Sequence, residues 1–242
     1  MNGIIDFHTH ILPGIDDGSR SREDTLELLR QEKEQGIAHV IATPHFYPQH
    51  DKPERFLSRR AAAVERLREV LAANPGLPEV TVGAEVHYFR GISSTEVLRE
   101  LTVGSGKYIL IEMPASPWTD AMYGELEGIY TKRNLIPVIA HIDRYISPFR
   151  ARHILDRLAE LPVLIQANAE VFLRRSTAGM AMKLLQREQI HLLGSDCHNL
   201  TSRKPDLGKA VELIEKKLGQ EALAPVLECQ DCVLAGQKLS MS

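Results

Sequence analysis

Two histidines at spacing two, His8 and His10, follow the short apolar run 4–7 near the start of the chain. On an extended backbone, residues two apart project to the same side, so both imidazoles face one way. Two neutral imidazoles side by side are a metal chelate in waiting. A lone His-x-His is as readily a surface pair, but the chain keeps supplying partners. Asp16-Asp17-Gly18 puts carboxylates on a turn just downstream. His45 follows Thr43-Pro44, Glu85 follows Gly83-Ala84, and Glu112, His141, Asp196 and His198 come later. Arg144 stands three residues after His141, and Arg203 seven after Asp196. Guanidinium forks match phosphate oxygens two at a time.

These residues need elements to hold them, and the pattern supplies a regular alternation. Apolar, β-rich runs at 3–7, 37–42, 80–86, 108–112, 136–140, 163–167 and 191–194 predict seven strands. Helical patterns lie between them. Ser21, with Asp24 three residues on, predicts a capped helix start, and Gly36 its end. Further helices are predicted at 53–73, 95–101, 120–132, 148–160, 178–188, 206–218 and 221–226. No linker or repeat interrupts the series, so the 242 residues read as one domain. Repeated β-then-α units predict a parallel sheet.

Almost every candidate falls at a strand's end. His8, His10 and Asp17 follow the first strand and His45 the second. Glu85 and Glu112 end the third and fourth, His141 follows the fifth, and Asp196 and His198 follow the seventh. The sixth alone ends without one, in Gln166-Ala167-Asn168. An open sheet gathers ligands at one switch point. A closed α/β barrel gathers all strand C-termini around one mouth, and that arrangement is expected here. Nine ligands exceed the need of one ion. Imidazole and carboxylate without thiolate suit manganese, iron or zinc. Two or three ions activate water and clamp attacking and leaving oxygens in line, which is phosphoester hydrolysis chemistry.

Composition narrows the rest. A formal net charge of -3 gives no nucleic-acid footprint. No apolar run approaches the roughly 20 residues of a membrane span, and no secretory leader opens the sequence. Cys197, Cys229 and Cys232 are too few for a disulfide framework, so a cytoplasmic setting is expected. Cys229-x-x-Cys232 lacks a second pair and reads as incidental thiols. Cys197 sits between two candidate ligands, where alternation should turn its side chain away from both.

Taken together, His8-Thr9-His10, Asp16-Asp17-Gly18, Ala42-Thr43-Pro44-His45, Gly83-Ala84-Glu85, Ala140-His141-Ile142-Asp143-Arg144-Tyr145 and Ser195-Asp196-Cys197-His198 resemble the motifs of the polymerase-and-histidinol-phosphatase (PHP) superfamily. Within it, they resemble the manganese-dependent protein-tyrosine phosphatases of bacterial capsule and exopolysaccharide operons, the CpsB/CapC type. Asp143 stands where that family often has Glu. The resemblance implies a distorted TIM-like (β/α)7 barrel with a polynuclear Mn2+ site at the strand C-terminal face. It implies one ion on His8, His10, Glu85 and Asp196, a second on Glu85, Glu112 and His141, and a third on Asp17, His45 and His198. Arg144 and Arg203 match the phosphate-binding arginines. The implied substrate is the phosphotyrosine-bearing tail of a bacterial tyrosine autokinase. Tyr47, with Phe46, Tyr145 and the segment 115–118, is a candidate lining for an aromatic-accepting cleft. Two other readings stay open: a small-molecule phosphatase, such as one acting on histidinol phosphate, and a metal-binding regulatory module without turnover.

Overall fold

The strand-forming runs pair in sequence order, and every pair is parallel. The computed structural model describes residues 3–104, 106–146 and 151–237. Its elements are β1 (Ile5–Thr9), α1 (Arg22–Glu34), β2 (His39–Ala42), β3 (His45–Phe46), α2 (Pro53–Ala73), β4 (Glu79–Val82) and β5 (Glu85–His87). Then come β6 (Tyr108–Glu112), α3 (Asp120–Arg133), β7 (Ile136–Ile139), α4 (Ala151–Ala159), β8 (Leu164–Asn168) and α5 (Ala169–Leu173). The chain continues through α6 (Ala178–Gln186), β9 (Leu192–Gly194), α7 (Leu207–Leu218) and α8 (Ala224–Leu234).

Local chemistry sets most boundaries. Ser21 Oγ accepts the Asp24 amide at 3.2 Å and starts α1, and Gly36 ends that segment at φ +80. Pro53 opens α2 in the first turn, where its missing N–H costs nothing. The third predicted strand is split in two, and the second is followed by a short strand, β3, that was not expected. Pro44 lacks an N–H and separates β2 from β3. Gly83 separates β4 from β5, and a Cβ there would meet Val103 Cγ2 at 2.7 Å. The ladder nevertheless continues across both breaks, through Gly83 N to Ala42 O at 2.9 Å and Glu85 N to Pro44 O at 3.0 Å. The helix predicted at 95–101 is a pair of 3-10 turns, Ile92–Ser94 and Glu96–Glu100. The helix predicted at 221–226 starts later and runs on to Leu234, with Pro225 in its first turn. α5 was not predicted, and the predicted helix start at 148 lies outside the described residues.

The strands form two hydrogen-bonded runs, β1-β2-β4 and β3-β5-β6-β7-β8-β9. The sheet curls until its last strand returns to its first. Thr9 bridges in parallel to Cys197. Asp196 N donates to His8 O at 2.7 Å, and His10 N to Cys197 O at 2.9 Å. Inside the curl, Ile5, Phe7, Ile41, Leu110, Val138, Leu164 and Leu192 form one buried cluster with Tyr108 and α8's Cys229 and Val233. The opposite faces, with Ile109, Ile111, Ile139, Ile165 and Leu193, pack with the helices in a second core.

Alternation then places the polar residues. Two residues beyond Leu110 on the same face is Glu112; beyond Leu164 come Gln166 and Asn168. β1 adds a bulge: Asp6 pairs with Val40 but Thr9 with Ala42. Three steps on one strand face two on the other, and the extra residue re-aims the segment carrying His8. Among the described residues, no helix is long and apolar enough to cross a membrane.

Candidate metal centre

At the C-terminal end of the curl the histidines converge. His8 Nε2 and His10 Nε2 lie 3.1 Å apart. Glu85 Oε2 is 3.2 Å from the first and 3.3 Å from the second. Asp196 Oδ1 is 3.6 Å from His8 Nε2 and 3.4 Å from His10 Nε2. His45 Nδ1 comes within 2.9 Å of Glu85 Oε2. His141 Nε2 is 2.8 Å from Glu85 Oε1 and 3.6 Å from Glu112 Oε1. Asp17, although largely exposed, holds Oδ1 3.5 Å from Nε2 of both His45 and His198.

Hydrogen bonds, such as His141 Nε2 to Glu85 Oε1 at 2.8 Å, account for only part of the crowding. Glu85 Oε2, His45 Nδ1 and His198 Nε2 are buried without a hydrogen-bond partner. Folded proteins rarely leave buried polar atoms so. Acceptor atoms crowded in this way are an arrangement that a bound cation satisfies. Three groups have ligand atoms all within 4.8 Å of one another: His8, His10 and Glu85; His10, His45 and His198; His45, Glu85 and Glu112. Glu85 belongs to two of them, as a bridging carboxylate would. Soft thiolate is absent from all three, so the donor set fits manganese, iron or zinc.

Electrostatics agree. Burial opposes ionising Glu85, yet His8 and hydrogen bonds from His10, His141 and His45 hold its carboxyl well below the usual range. Asp196 is held down likewise, by His8 and His10 against burial. Burial opposes charging His10, but Asp16 foremost, with Asp196 and Glu85, pushes it well above its ordinary value. Buried carboxylates that stay ionised call for positive charge among them. The backbone is strained at the same place: His141 has φ +34 and Asp196 φ +56, a region non-glycine residues seldom occupy.

Both arginines reach the centre. Arg144 Nη2 is 2.5 Å from Asp196 Oδ2 and its Nη1 3.6 Å from Glu112 Oε1. Arg203 Nη2 is 2.7 Å from Asp196 Oδ1. A cavity of about 280 Å³ opens beside them, lined also by Asn168, Val171, Thr177 and Ser195. Tyr47 is exposed at the rim, its ring 5.0 Å from that of His45. Tyr145 lies 5.6 Å from the His141 ring and is braced edge-on by Trp118 at 5.0 Å. All nine candidate ligands and both arginines therefore meet. Cys197 faces away, its Sγ 3.9 Å from Glu32 Oε1, and burial pushes its thiol far above the usual range.

Several participants were not anticipated. Asp16, rather than its neighbour, accepts from His10 Nδ1 at 2.8 Å and from the His45 amide at 3.1 Å. Gly18 is the signal for that fold-back: a Cβ there would sit 2.2 Å from His10 O. His87 Nδ1 lies 3.1 Å from Glu112 Oε2. Asp6 Oδ1 accepts the amides of His8 at 3.2 Å and Ser195 at 2.9 Å, tying β1 to the loop after β9. Gln166 and Asn168, at the end of the one predicted strand that supplied no candidate ligand, touch His8 and Asp196.

Known proteins resemble this chain over nearly its whole length. The family model described as "Capsular polysaccharide synthesis, CpsB/CapC" matches residues 4–231. Tyrosine-protein phosphatase YwqE of Bacillus subtilis (strain 168) is 29% identical over 244 residues, covering 98% of this chain and 93% of the relative. Tyrosine-protein phosphatase CpsB of Streptococcus pneumoniae is 29% identical over 231 residues, covering 89% and 91%. A crystal structure from work on YwqE and CpsB, "unique metal-dependent tyrosine phosphatases", superposes with a TM-score of 0.85 at 26% identity, covering 98% of this chain and 96% of that one. N-isopropylammelide isopropylaminohydrolase from Burkholderia multivorans shares the fold alone, with a TM-score of 0.54 at 15% identity, covering 97% of this chain and 74% of that one.

Proposed function

The chain belongs to the CpsB/CapC family of capsular polysaccharide synthesis, and from that premise we propose that it is a manganese-dependent protein-tyrosine phosphatase. The observation that carries the reading is the ring of buried, unpartnered ligand atoms around Glu85. The whole chain, 1–242, is one PHP-type (β/α)7 barrel with its metal site at the strand C-termini. Two or three Mn2+ ions would be held, one by His8, His10, Glu85 and Asp196, one by Glu85, Glu112 and His141, and one by Asp17, His45 and His198. When bound, the ions supply an activated water and Lewis-acid charge at the phosphoryl group.

The chain's own residues do the rest. Arg144 and Arg203 hold the non-bridging phosphoryl oxygens and meet the charge that grows on them. Neither is a ligand; Arg144 ends the 3-10 turn Ile142–Arg144 and Arg203 lies on the loop before α7, both beside the cavity. Tyr47, Tyr145 and Trp118 give the rim aromatic surface for a phenolic ring. The substrate is the phosphotyrosine-bearing tail of a bacterial tyrosine autokinase, in line with relatives that are named tyrosine-protein phosphatases. Three free thiols suit the reducing cytoplasm.

The test is turnover by metal-stripped protein before and after manganese is restored. Phosphotyrosine peptide, phosphoserine peptide and histidinol phosphate are compared side by side. Manganese-dependent hydrolysis with phosphotyrosine preferred is expected. Preference for histidinol phosphate would move the reading to a small-molecule phosphatase, and no turnover on any of the three would remove the catalytic reading.

A further inference from the structure

β8 brings two amides to a site otherwise built of histidines, carboxylates and arginines. Gln166 and Asn168 are both buried and both on the inner face. The geometry points to them as positioning residues: Gln166 holds His8 in the tautomer that leaves Nε2 free for a metal ion, and Asn168 locks Gln166 in the orientation this requires. The inference rests on the metal reading above.

The direction of the network follows from its two ends. Asp196 Oδ2 only accepts, and Asn168 Nδ2 donates to it at 3.0 Å. That turns Asn168 Oδ1 toward Gln166, whose Nε2 donates to it at 3.1 Å. Gln166 Oε1 must then face the other way, where the His141 amide, a pure donor, reaches it at 2.7 Å. One arrangement of both amides satisfies both ends. The same Oε1 lies 3.3 Å from His8 Nδ1. An acceptor there makes Nδ1 the N–H and leaves the lone pair on Nε2. That Nε2 is the atom facing His10, Glu85 and Asp196.

Two further features suit this role. The His141 amide that Gln166 accepts belongs to a residue at φ +34, so one side-chain oxygen steadies both a ligand's tautomer and a strained ligand backbone. Gly194 leaves the space: a Cβ there would meet His8 Cβ at 2.7 Å and Gln166 Nε2 at 3.0 Å. His10 is held by a carboxylate, Asp16, yet a carboxylate at 166 would lack the N–H that Asn168 accepts. An amide alone can accept at one end and donate at the other.

The test separates positioning from packing. Metal-stripped wild type, Gln166→Leu and Gln166→Glu are titrated with manganese, free ion being followed by electron paramagnetic resonance. Heat unfolding of the stripped proteins is measured in parallel. Leucine fills the site but accepts nothing, so its manganese affinity should fall by about tenfold or more, as on loss of a ligand's outer hydrogen bond. Glutamate still accepts from His8 and should bind within about threefold of wild type, although a buried carboxylate lowers its unfolding midpoint below that of the leucine variant. A purely structural role predicts the reverse order of affinity, and that order would overturn the assignment. Should neither variant fold, nitrogen NMR of the zinc-loaded wild type decides: a proton on Nδ1 of His8 supports the assignment, and a proton on Nε2 overturns it. Wild type that takes up neither metal would sink the metal reading itself.

Discussion

The two ends of the curled sheet are made by the same strands and have opposite chemistry. At the N-terminal end, Ile5, Phe7, Leu110, Val138, Leu164 and Leu192 close against Tyr108, Cys229 and Val233. Gln230 is paired at both ends there: Ile5 N donates to Gln230 Oε1 at 2.9 Å, and Gln230 Nε2 to Gly3 O at 2.8 Å. At the C-terminal end, one or two residues further along, the carboxyls of Glu85 and Asp196 are held well below their usual range, atoms of Glu85, His45 and His198 lack hydrogen-bond partners, and the backbone is strained at His141 and Asp196. A chain can tolerate such a region only when the rest over-determines the fold. On the function proposed above, stability resides at one end and chemistry at the other, as expected for an α/β sheet curled in this sense.

That division can be broken from either side. The largest effect is expected at Glu85, which belongs to two ligand groups. Glu85→Gln removes a buried negative charge without changing shape. It should lower bound manganese by at least one ion per chain and take phosphotyrosine turnover to background, while the stripped protein unfolds no earlier than wild type. A variant that keeps its metal and its activity would erase the contrast between the two ends.

Next come the arginines. Arg144→Ala and Arg203→Ala should each cost roughly 3 kcal/mol in the transition state, by analogy with deletion of an oxyanion donor. That is on the order of a hundredfold in kcat/KM. Lysine should rescue poorly, since a point charge cannot make the planar two-point contact. Manganese content should not change. Loss of metal in either variant would make these residues supports of the cluster instead of phosphate binders.

The N-terminal end has its own probe in His191, which accepts the Ile165 amide on Nδ1 at 3.0 Å. Burial lowers its pKa from 6.5 to about 4. The folded state thus prefers the neutral ring. That contribution is complete above pH 6.5 and is lost as pH falls toward 4. Between pH 7.5 and pH 5 the loss should be roughly 2 kcal/mol. Urea unfolding of wild type and His191→Gln at both values isolates it, because the advantage of wild type should shrink by that amount. An advantage that stays constant with pH would contradict the neutral, buried ring. The smallest effect is expected at Cys197, which faces Glu32 and the core. Cys197→Ser should keep most activity, and its complete loss in folded, metal-loaded protein would favour a thiol mechanism.

Much of this site is legible before any coordinates, because imidazole and carboxylate at strand ends are rare enough to mark themselves. Their supports are not. Asp16 and Asp17 are the same residue type in adjacent positions, and only the turn that packs Gly18 on His10 assigns one to His10 and the other to His45 and His198. Gln166 and Asn168 look like ordinary strand-end amides until His8 and Asp196 arrive from distant sequence. The β1 bulge leaves no trace in composition. Glu32 shares the buried face of Thr25, Leu28 and Leu29. Burial beside Asp6 then pushes its carboxyl well above the usual range. The break at Gly83 is visible as a residue, but periodicity alone runs through it, and the two residues of β3 beyond Pro44 are too few to show a period.

The central claim is that the unpartnered atoms around Glu85 are ligands to metal ions. It is tested most directly by elemental analysis of the wild-type protein purified from manganese-replete medium. Two or three transition-metal ions per chain are predicted, falling in Glu85→Gln. At most trace metal in folded wild type would contradict the account.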